Sequence, residues 1–165
     1  MRAELEERVQ RAVDNFMNGY NCSQSVVAAF ADLYDLTDLQ AKRISAGFGG
    51  GFGRMRMVCG AASGMVILAG LNDGQTEGGD REGKAHCYKV VQELMENFRI
   101  SNGSVICAEI LGLKGPVAAG NYMPAERNAE YYKKRPCGAK IESAARIFAE
   151  YLEQRMQEAE NAGHQ

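Results

Sequence analysis

The chain of 165 residues has no tryptophan, few prolines and histidines, and no long apolar run. The uncharged stretch at residues 57–71 contains three glycines and is shorter than the ~20 apolar residues that a membrane-spanning helix needs. The first eight residues are mostly charged, so we expect no secretory signal there. With 19 basic and 21 acidic residues, the charge balance favours neither nucleic acid nor an anionic membrane as a partner. These absences predict a cytoplasmic protein.

Strand-like alternation is also missing, and no internal repeat or linker divides the chain. Apolar residues recur instead at helical spacing, as Leu5, Val9 and Phe16 do near the start. We therefore predict an all-α fold, a single-domain helical bundle of about seven helices with a glycine-rich loop. The domain is expected to span residues 1–155, followed by a polar tail from 156 to 165, in which His164 is given no role.

Cap and breaker residues predict where the helices begin and end. The expected limits are a first helix ending at Asn18-Gly19, a second capped by Asn21, a third from Thr37 or Asp38 bearing Leu39, Ile44 and Phe48, a fourth from near Cys59 to about 70–74, a fifth carrying Val90 and Phe98, a short sixth capped by Ser104 and running through Leu111, and a seventh from near Pro136. Residues 112–134 are predicted to be irregular.

The sequence contains five cysteines but no Cys-x-x-Cys pair. This pair is the usual signature of local zinc ribbons, thioredoxin-type dithiols and covalent c-type haem attachment, so the sequence indicates none of these three. Structural disulfides are rare in the reducing cytosol, and an odd number of cysteines cannot pair completely. Any joint action of the cysteines must therefore come from tertiary folding.

Four of the cysteines fall at or near predicted helix starts: Cys22, Cys59, Cys107 and Cys137. A helix N-terminus carries unpaired N–H groups and partial positive charge, which can lower a thiol pKa from ~8.5 to roughly 3.5–7.5. Arg54 and Arg56 precede Cys59, and residues 133–135 before Cys137 are also basic. Cys59 is thus our preferred reactive thiol. Cys87 lies inside the fifth helix and is expected only to pack, and His86 beside it to be solvated.

Three functions are compatible with this pattern. The four cysteines can perform thiol–disulfide exchange or electron transfer with a redox partner that the sequence does not name. Alternatively, the same four thiolates can ligate an iron–sulfur cluster or zinc. The third possibility is a helical interaction protein whose thiols are merely small buried hydrophobes. Apolar and glycine-rich helix surfaces are compatible with a homodimer.

The glycine-rich loop offers a place where backbone can approach a cofactor or the cysteines closely. Gly49, Gly51, Gly53 and Gly60 are the candidate cofactor-binding glycines. A nucleotide is disfavoured, because a dinucleotide fingerprint needs a preceding strand and the spacing G-x-G-x-x-G. We expect aromatic side chains to shield the cysteines from water, the candidates being Phe48, Phe52, Tyr131 and Tyr132.

The motifs resemble those of the C-GCAxxG-C-C family. The run GYNCSQSVV (19–27) is similar to its first cysteine box, GFGGGFGR (47–54) followed by CGAASG (59–64) to its central motif, and SVICAEILG (104–112) and Cys137 to its third and fourth cysteine positions. One departure is Cys59-Gly60-Ala61 where the family name spells Gly-Cys-Ala. The resemblance implies a redox-active role. A related domain occurs in split-Soret cytochromes, for which iron–sulfur binding has been suggested, so the resemblance also leaves a cluster open.

Overall fold

The computed structural model describes residues 1–163 and contains eight regular α-helices in that range, besides the short turn Gly49–Phe52, in which Gly50 and Gly51 have left-handed backbone. They are α1 (Ala3–Met17), α2 (Cys22–Phe30), α3 (Asp38–Ser45), α4 (Gly60–Asp73), α5 (Arg81–Asn102), α6 (Cys107–Ile110), α7 (Ala129–Lys134) and α8 (Cys137–Ala162). These residues form no strand, and their only bridge is an isolated antiparallel one between Val58 and Ile106. The all-α prediction is confirmed. His164 lies outside the described residues.

Short-range capping explains why α2 and α3 start where the sequence predicted. The Asn21 side chain accepts a hydrogen bond from the Gln24 backbone N–H at 2.9 Å, and the Gln24 side chain accepts one from Asn21 in return. Thr37 and Gln40 form the same reciprocal arrangement before α3. Each box satisfies two N–H groups that the helix itself leaves unpaired.

Helices α1, α2, α4, α5 and α8 enclose the core. Four phenylalanines are fully buried in it, namely Phe16, Phe30, Phe98 and Phe148. Phe30 meets Phe148 edge to face, with ring centroids 5.2 Å apart. Aromatic burial of this kind is a large part of the apolar area removed from water, which drives folding. No helix within residues 1–163 combines the length and apolarity of a membrane span.

Several details differ from the sequence-based expectation. An additional helix, α7, lies within the segment predicted to be irregular, because Asn128 caps it by accepting from the Tyr131 N–H. Leu39 and Ile44 of α3 are exposed, since this helix buries the smaller Ala41 and Ser45. Ser104 does not cap α6.

The last helix also differs from expectation. Helix α8 continues to Ala162, so the polar segment expected to form a tail from residue 156 is largely helical. The helix begins at Cys137, directly after Pro136. Its start therefore agrees with the sequence-based limit, whereas its end lies farther along the chain.

Two glycines one turn apart on α4 allow α2 to approach closely. A Cβ atom at Gly64 would lie 3.1 Å from the Ser23 carbonyl oxygen and from Val26 Cβ. At Gly60 it would lie 3.1 Å from Cys22 Cβ. The absence of these two side chains therefore brings the start of α2, with Cys22, against the start of α4.

Candidate functional site

A cavity of about 480 Å³ opens where the starts of four helices converge. Its walls include all four cysteines that the sequence singled out, Cys22, Cys59, Cys107 and Cys137. Cys87 does not line it. The long-range folding that any joint action requires is thus present for these four thiols.

Each of the four cysteines is placed at a helix start. Cys22, Cys107 and Cys137 are the first residues of α2, α6 and α8, and Cys59 is the N-cap of α4. Two backbone hydrogen bonds hold one pair of starts together: Cys59 N–H donates to Val105 O at 2.7 Å, and Cys107 N–H donates to Met57 O at 2.6 Å. These bonds fix the buried Cys59 and Cys107 on one wall.

The glycine-rich loop reaches the cavity through a run of left-handed backbone. Gly50, Gly51 and Gly53 have positive φ, as do Phe52, Arg54 and Arg56. Positive φ is costly for residues other than glycine, and such residues cluster at functional sites. The conformation turns both arginine side chains toward the cavity, which they line.

The predicted cofactor-binding glycines differ from one another in the structure. A Cβ at Gly49 would come within 2.6 Å of the Asn21 side chain, and one at Gly51 within 2.7 Å of Cys107 Cβ. Gly53 has nothing within 4 Å of its Cβ position and is left-handed instead. Gly49, Gly53 and Gly60 line the cavity, whereas Gly51 lies behind Cys107. The close approaches are to the protein's own chain.

Cys22 and Cys137 are neighbouring thiols whose pKa values shift in opposite directions. The hydrogen bond with the Cys22 side chain, assisted by the charges of Arg135, Arg56 and Arg127, lowers the pKa of Cys137 to about 7 against the opposing effect of burial. The hydrogen bond with Cys137 and then burial raise the pKa of Cys22 well above its ordinary value. The charges of Arg135, Arg56 and Arg127 thus favour a single thiolate in this pair, with Cys137 as the sulfur that they stabilise directly.

Cys59 behaves differently from the sequence-based expectation. Burial raises its pKa to about 11, although the backbone N–H groups of Ala62 and Ala61 act in the opposite direction. The positive end of a helix thus does not outweigh desolvation of a side chain that is only 6% exposed. Arg56, which the sequence placed beside Cys59, contacts a different cysteine: its guanidinium lies 3.7 Å from Cys107 Sγ. The electrostatics favour Cys137 over Cys59 as the attacking thiolate.

Residues that the sequence did not indicate complete the walls. Arg127 stacks on two rings, with its guanidinium carbon 4.6 Å from the centroids of both Phe16 and Tyr131. Lys140 and Tyr122 also line the cavity. Arg127 and Tyr122 belong to the segment predicted to be irregular, where no periodicity assigns a side chain to a face. Lys140 lies one turn after Cys137, a spacing that could have pointed to it.

The aromatic candidates are only partly at the site. Tyr131 lines the cavity, whereas Tyr132 turns away and donates from its hydroxyl to the Phe16 carbonyl. Phe48 and Phe52 meet edge to face, with ring centroids 5.1 Å apart, and do not line the cavity. Their expected role in shielding the thiols therefore falls to Tyr131.

His86 lies outside the cavity, partly exposed, and its Nε2 is 3.0 Å from Asp73 Oδ1. Tyr151 donates to the other oxygen of that carboxylate at 2.8 Å. The carboxylate therefore connects α4 with α5 and α8. This is a structural contact remote from the four cysteines.

The metal-binding alternative requires several ligands that face a common point. Within residues 1–163, no group of three or more His, Cys, Asp or Glu side chains is arranged to hold a metal ion. Thiolates suit iron–sulfur clusters and zinc chemically. The positions of these cysteines nevertheless do not fit such a ligand set, and we derive no step through a metal.

Fold and site together define an all-α protein whose four thiols share one arginine-lined pocket. The model of the family described as "Putative redox-active protein (C_GCAxxG_C_C)" matches residues 20–151, and the chain belongs to this family. The resemblance of its motifs is thereby confirmed. No curated protein and no solved structure matches the chain.

Proposed function

We propose that the protein is a thiol–disulfide oxidoreductase in which Cys137 attacks and Cys22 resolves. The observation that carries this proposal is the meeting of four helix-start cysteines in one arginine-lined pocket, where the pKa values of Cys137 and Cys22 shift in opposite directions. Both of these cysteines are partly exposed, whereas Cys59 and Cys107 are buried. A disulfide substrate therefore meets Cys137 first, because burial of the Cys22 thiol is one cause of its raised pKa.

The pair also supplies an order of events. Cys137 thiolate attacks one sulfur of a substrate disulfide, forms a mixed disulfide and expels the other sulfur as a thiolate. Its negative charge is then gone, so the largest cause of the raised Cys22 pKa disappears. Cys22 can now pass its proton to the expelled thiolate and attack the Cys137 sulfur.

That second attack balances the reaction. It forms a Cys22–Cys137 disulfide and releases the remaining half of the substrate as a thiolate, which takes a proton from water. The protein dithiol has lost two electrons and the substrate disulfide has gained them. The buried Cys59 and Cys107 lie in the same pocket, where exchange with the new disulfide can transfer oxidation inward.

Trapping tests the assignment of the two roles. Wild-type protein oxidised by a small disulfide should yield a Cys22–Cys137 link in peptide mass mapping. Cys22→Ser should instead accumulate a mixed disulfide on Cys137, because the resolving thiol is missing. Cys87→Ser is the matched control and should behave as wild type.

Two results would contradict the proposal. A mixed disulfide trapped chiefly on Cys59 would show that Cys59, and not Cys137, is the attacking thiol. Protein purified without oxygen that carries near-stoichiometric iron or zinc, and loses it in Cys22→Ser and Cys137→Ser alike, would establish the metal-binding alternative. Absorption spectra and metal analysis of the same sample distinguish that outcome.

A further inference from the structure

The pocket around the thiols is positively charged on several sides. Among the described residues that line it are five cations, Arg54, Arg56, Arg127, Arg135 and Lys140, and no aspartate or glutamate. They come from three parts of the chain: the left-handed loop, the segment before α7, and the start of α8. A protein with a net charge of −2 thus concentrates five positive charges at one place, beside the Cys137 thiolate.

None of these five cations forms an ion pair with a carboxylate within 4.0 Å, as far as residues 1–163 extend. Elsewhere on the surface basic residues do pair, for example Lys134 with Glu130 and Arg146 with Glu6. Inside the pocket the cations repel one another instead. Burial, and then the charges of Arg56 and Arg135, lower the pKa of Arg54.

Five cations beside one thiolate still oppose folding unless a further anion offsets them. Uncompensated, partly buried like charges raise the free energy of the folded protein. Guanidinium groups bind carboxylates through two parallel hydrogen bonds, which suits them to recognise a small molecule by its carboxylates. The cavity of about 480 Å³ lies within the ~300–1,000 Å³ range of small-molecule sites. Tyr122 on its wall is 80% exposed, so the cavity reaches solvent.

We propose that the pocket selects low-molecular-weight disulfides that carry carboxylates, with the arginines holding the carboxylates while Cys137 meets the disulfide. This inference rests on the proposed thiol–disulfide function. The two-electron balance is unchanged: the anionic disulfide leaves as two thiols, and the Cys22–Cys137 dithiol becomes a disulfide. The same cations favour the thiolate that the first attack expels, because negative charge develops on that sulfur beside them.

The test compares three small disulfides of different charge on the reduced full-length protein. Oxidised glutathione is a net anion at neutral pH, hydroxyethyl disulfide is neutral and cystamine is cationic. Each rate constant is divided by that of dithiothreitol, a neutral dithiol, with the same disulfide, which removes intrinsic reactivity. We expect the normalised rate for oxidised glutathione to exceed the neutral rate by about tenfold, and cystamine to be the slowest. Salt near ~1 M should reduce this ratio strongly.

A matched pair of variants places the effect in the pocket. Arg135→Gln removes a cation that lines the cavity, and Lys133→Gln removes an exposed one two residues away that does not. Arg135→Gln should lower the anionic-to-neutral ratio by roughly threefold, and Lys133→Gln should leave it unchanged. Using the ratio cancels any effect of Arg135 on the Cys137 thiolate itself, since that effect slows all three disulfides alike.

The outcomes separate this inference from the proposal on which it rests. Equal normalised rates for the three disulfides would overturn the substrate class while leaving thiol–disulfide exchange in place. An equal loss of the ratio in both variants would assign it to general surface charge and would likewise overturn the pocket's role. Failure of every disulfide to oxidise the Cys22–Cys137 pair would contradict the proposed function itself.

Discussion

Cys137 and Cys22 both begin helices, yet their pKa values move in opposite directions. At the scale of single residues, the helix start is therefore only one influence on a thiol. The neighbouring sulfur is the largest one for both residues, and burial sets the high pKa of Cys59. Cysteine reactivity here depends on which side chains the fold places beside each sulfur.

The pH dependence of alkylation tests this view. A pKa of about 7 for Cys137 predicts that its rate with iodoacetamide rises as pH passes through 7 and levels off above roughly pH 8, because only the thiolate reacts. Cys22→Ala removes the hydrogen bond that is the main cause of the low pKa, so the inflection should move to higher pH. Mass spectrometry of the Cys137 peptide measures the rate. An inflection at the same pH in both proteins would exclude the Cys22 contribution.

The packing of α2 against α4 depends on glycine at one helical face. Gly64 and Gly60 face α2, where added Cβ atoms would crowd Ser23, Val26 and Cys22. Gly70 lies on the same helix but is exposed, with nothing within 4 Å of its Cβ position. Close packing against α2 therefore requires glycine at positions 60 and 64 of this helix but not at position 70.

These two kinds of glycine predict opposite effects of alanine. Gly70→Ala should stabilise the protein by about 0.5–1 kcal/mol, because alanine has the higher helix propensity. Gly64→Ala should lower the free energy of unfolding by roughly 1–2 kcal/mol, since crowding against the Ser23 backbone outweighs the same propensity gain. Urea denaturation followed by circular dichroism gives both values. Equal stabilisation by the two substitutions would contradict close packing at Gly64.

Across the whole molecule, α1 connects the core with the pocket, although none of its residues lines the cavity. The family match begins at residue 20, so α1 lies outside it. Phe16 of α1 is nevertheless buried in the core, and its ring supports Arg127, one of the cations that lower the pKa of Cys137. The electrostatics of the site therefore extend beyond the matched motifs.

Two phenylalanine substitutions distinguish an effect of Phe16 on the Cys137 pKa from a loss of stability alone. Phe16→Leu and Phe98→Leu each shorten a fully buried ring and should cost about 1–2 kcal/mol. Only Phe16→Leu should also raise the Cys137 pKa, because Arg127 loses one of the two rings on which it rests. Thermal denaturation and the alkylation profile are measured on both. A similar shift of the Cys137 profile in both variants would refute a specific route through Phe16.

Much of the fold and the identity of the candidate thiols could be predicted from the sequence. Reciprocal caps such as Asn21 with Gln24 act over three residues, so the start of α2 is determined locally. Helix α7 was missed because six residues with one cap carry too little periodicity to indicate a helix. Arg127 was missed for a related reason, since nothing local places it on the Phe16 ring.

The sequence by itself determined that the chain is helical and that four cysteines occupy helix starts, because capping and periodicity depend on near neighbours. Only the tertiary structure decided that Cys137 pairs with Cys22, that burial keeps Cys59 protonated, and that five cations surround them. Those properties depend on distance, desolvation and charge between segments far apart in the chain.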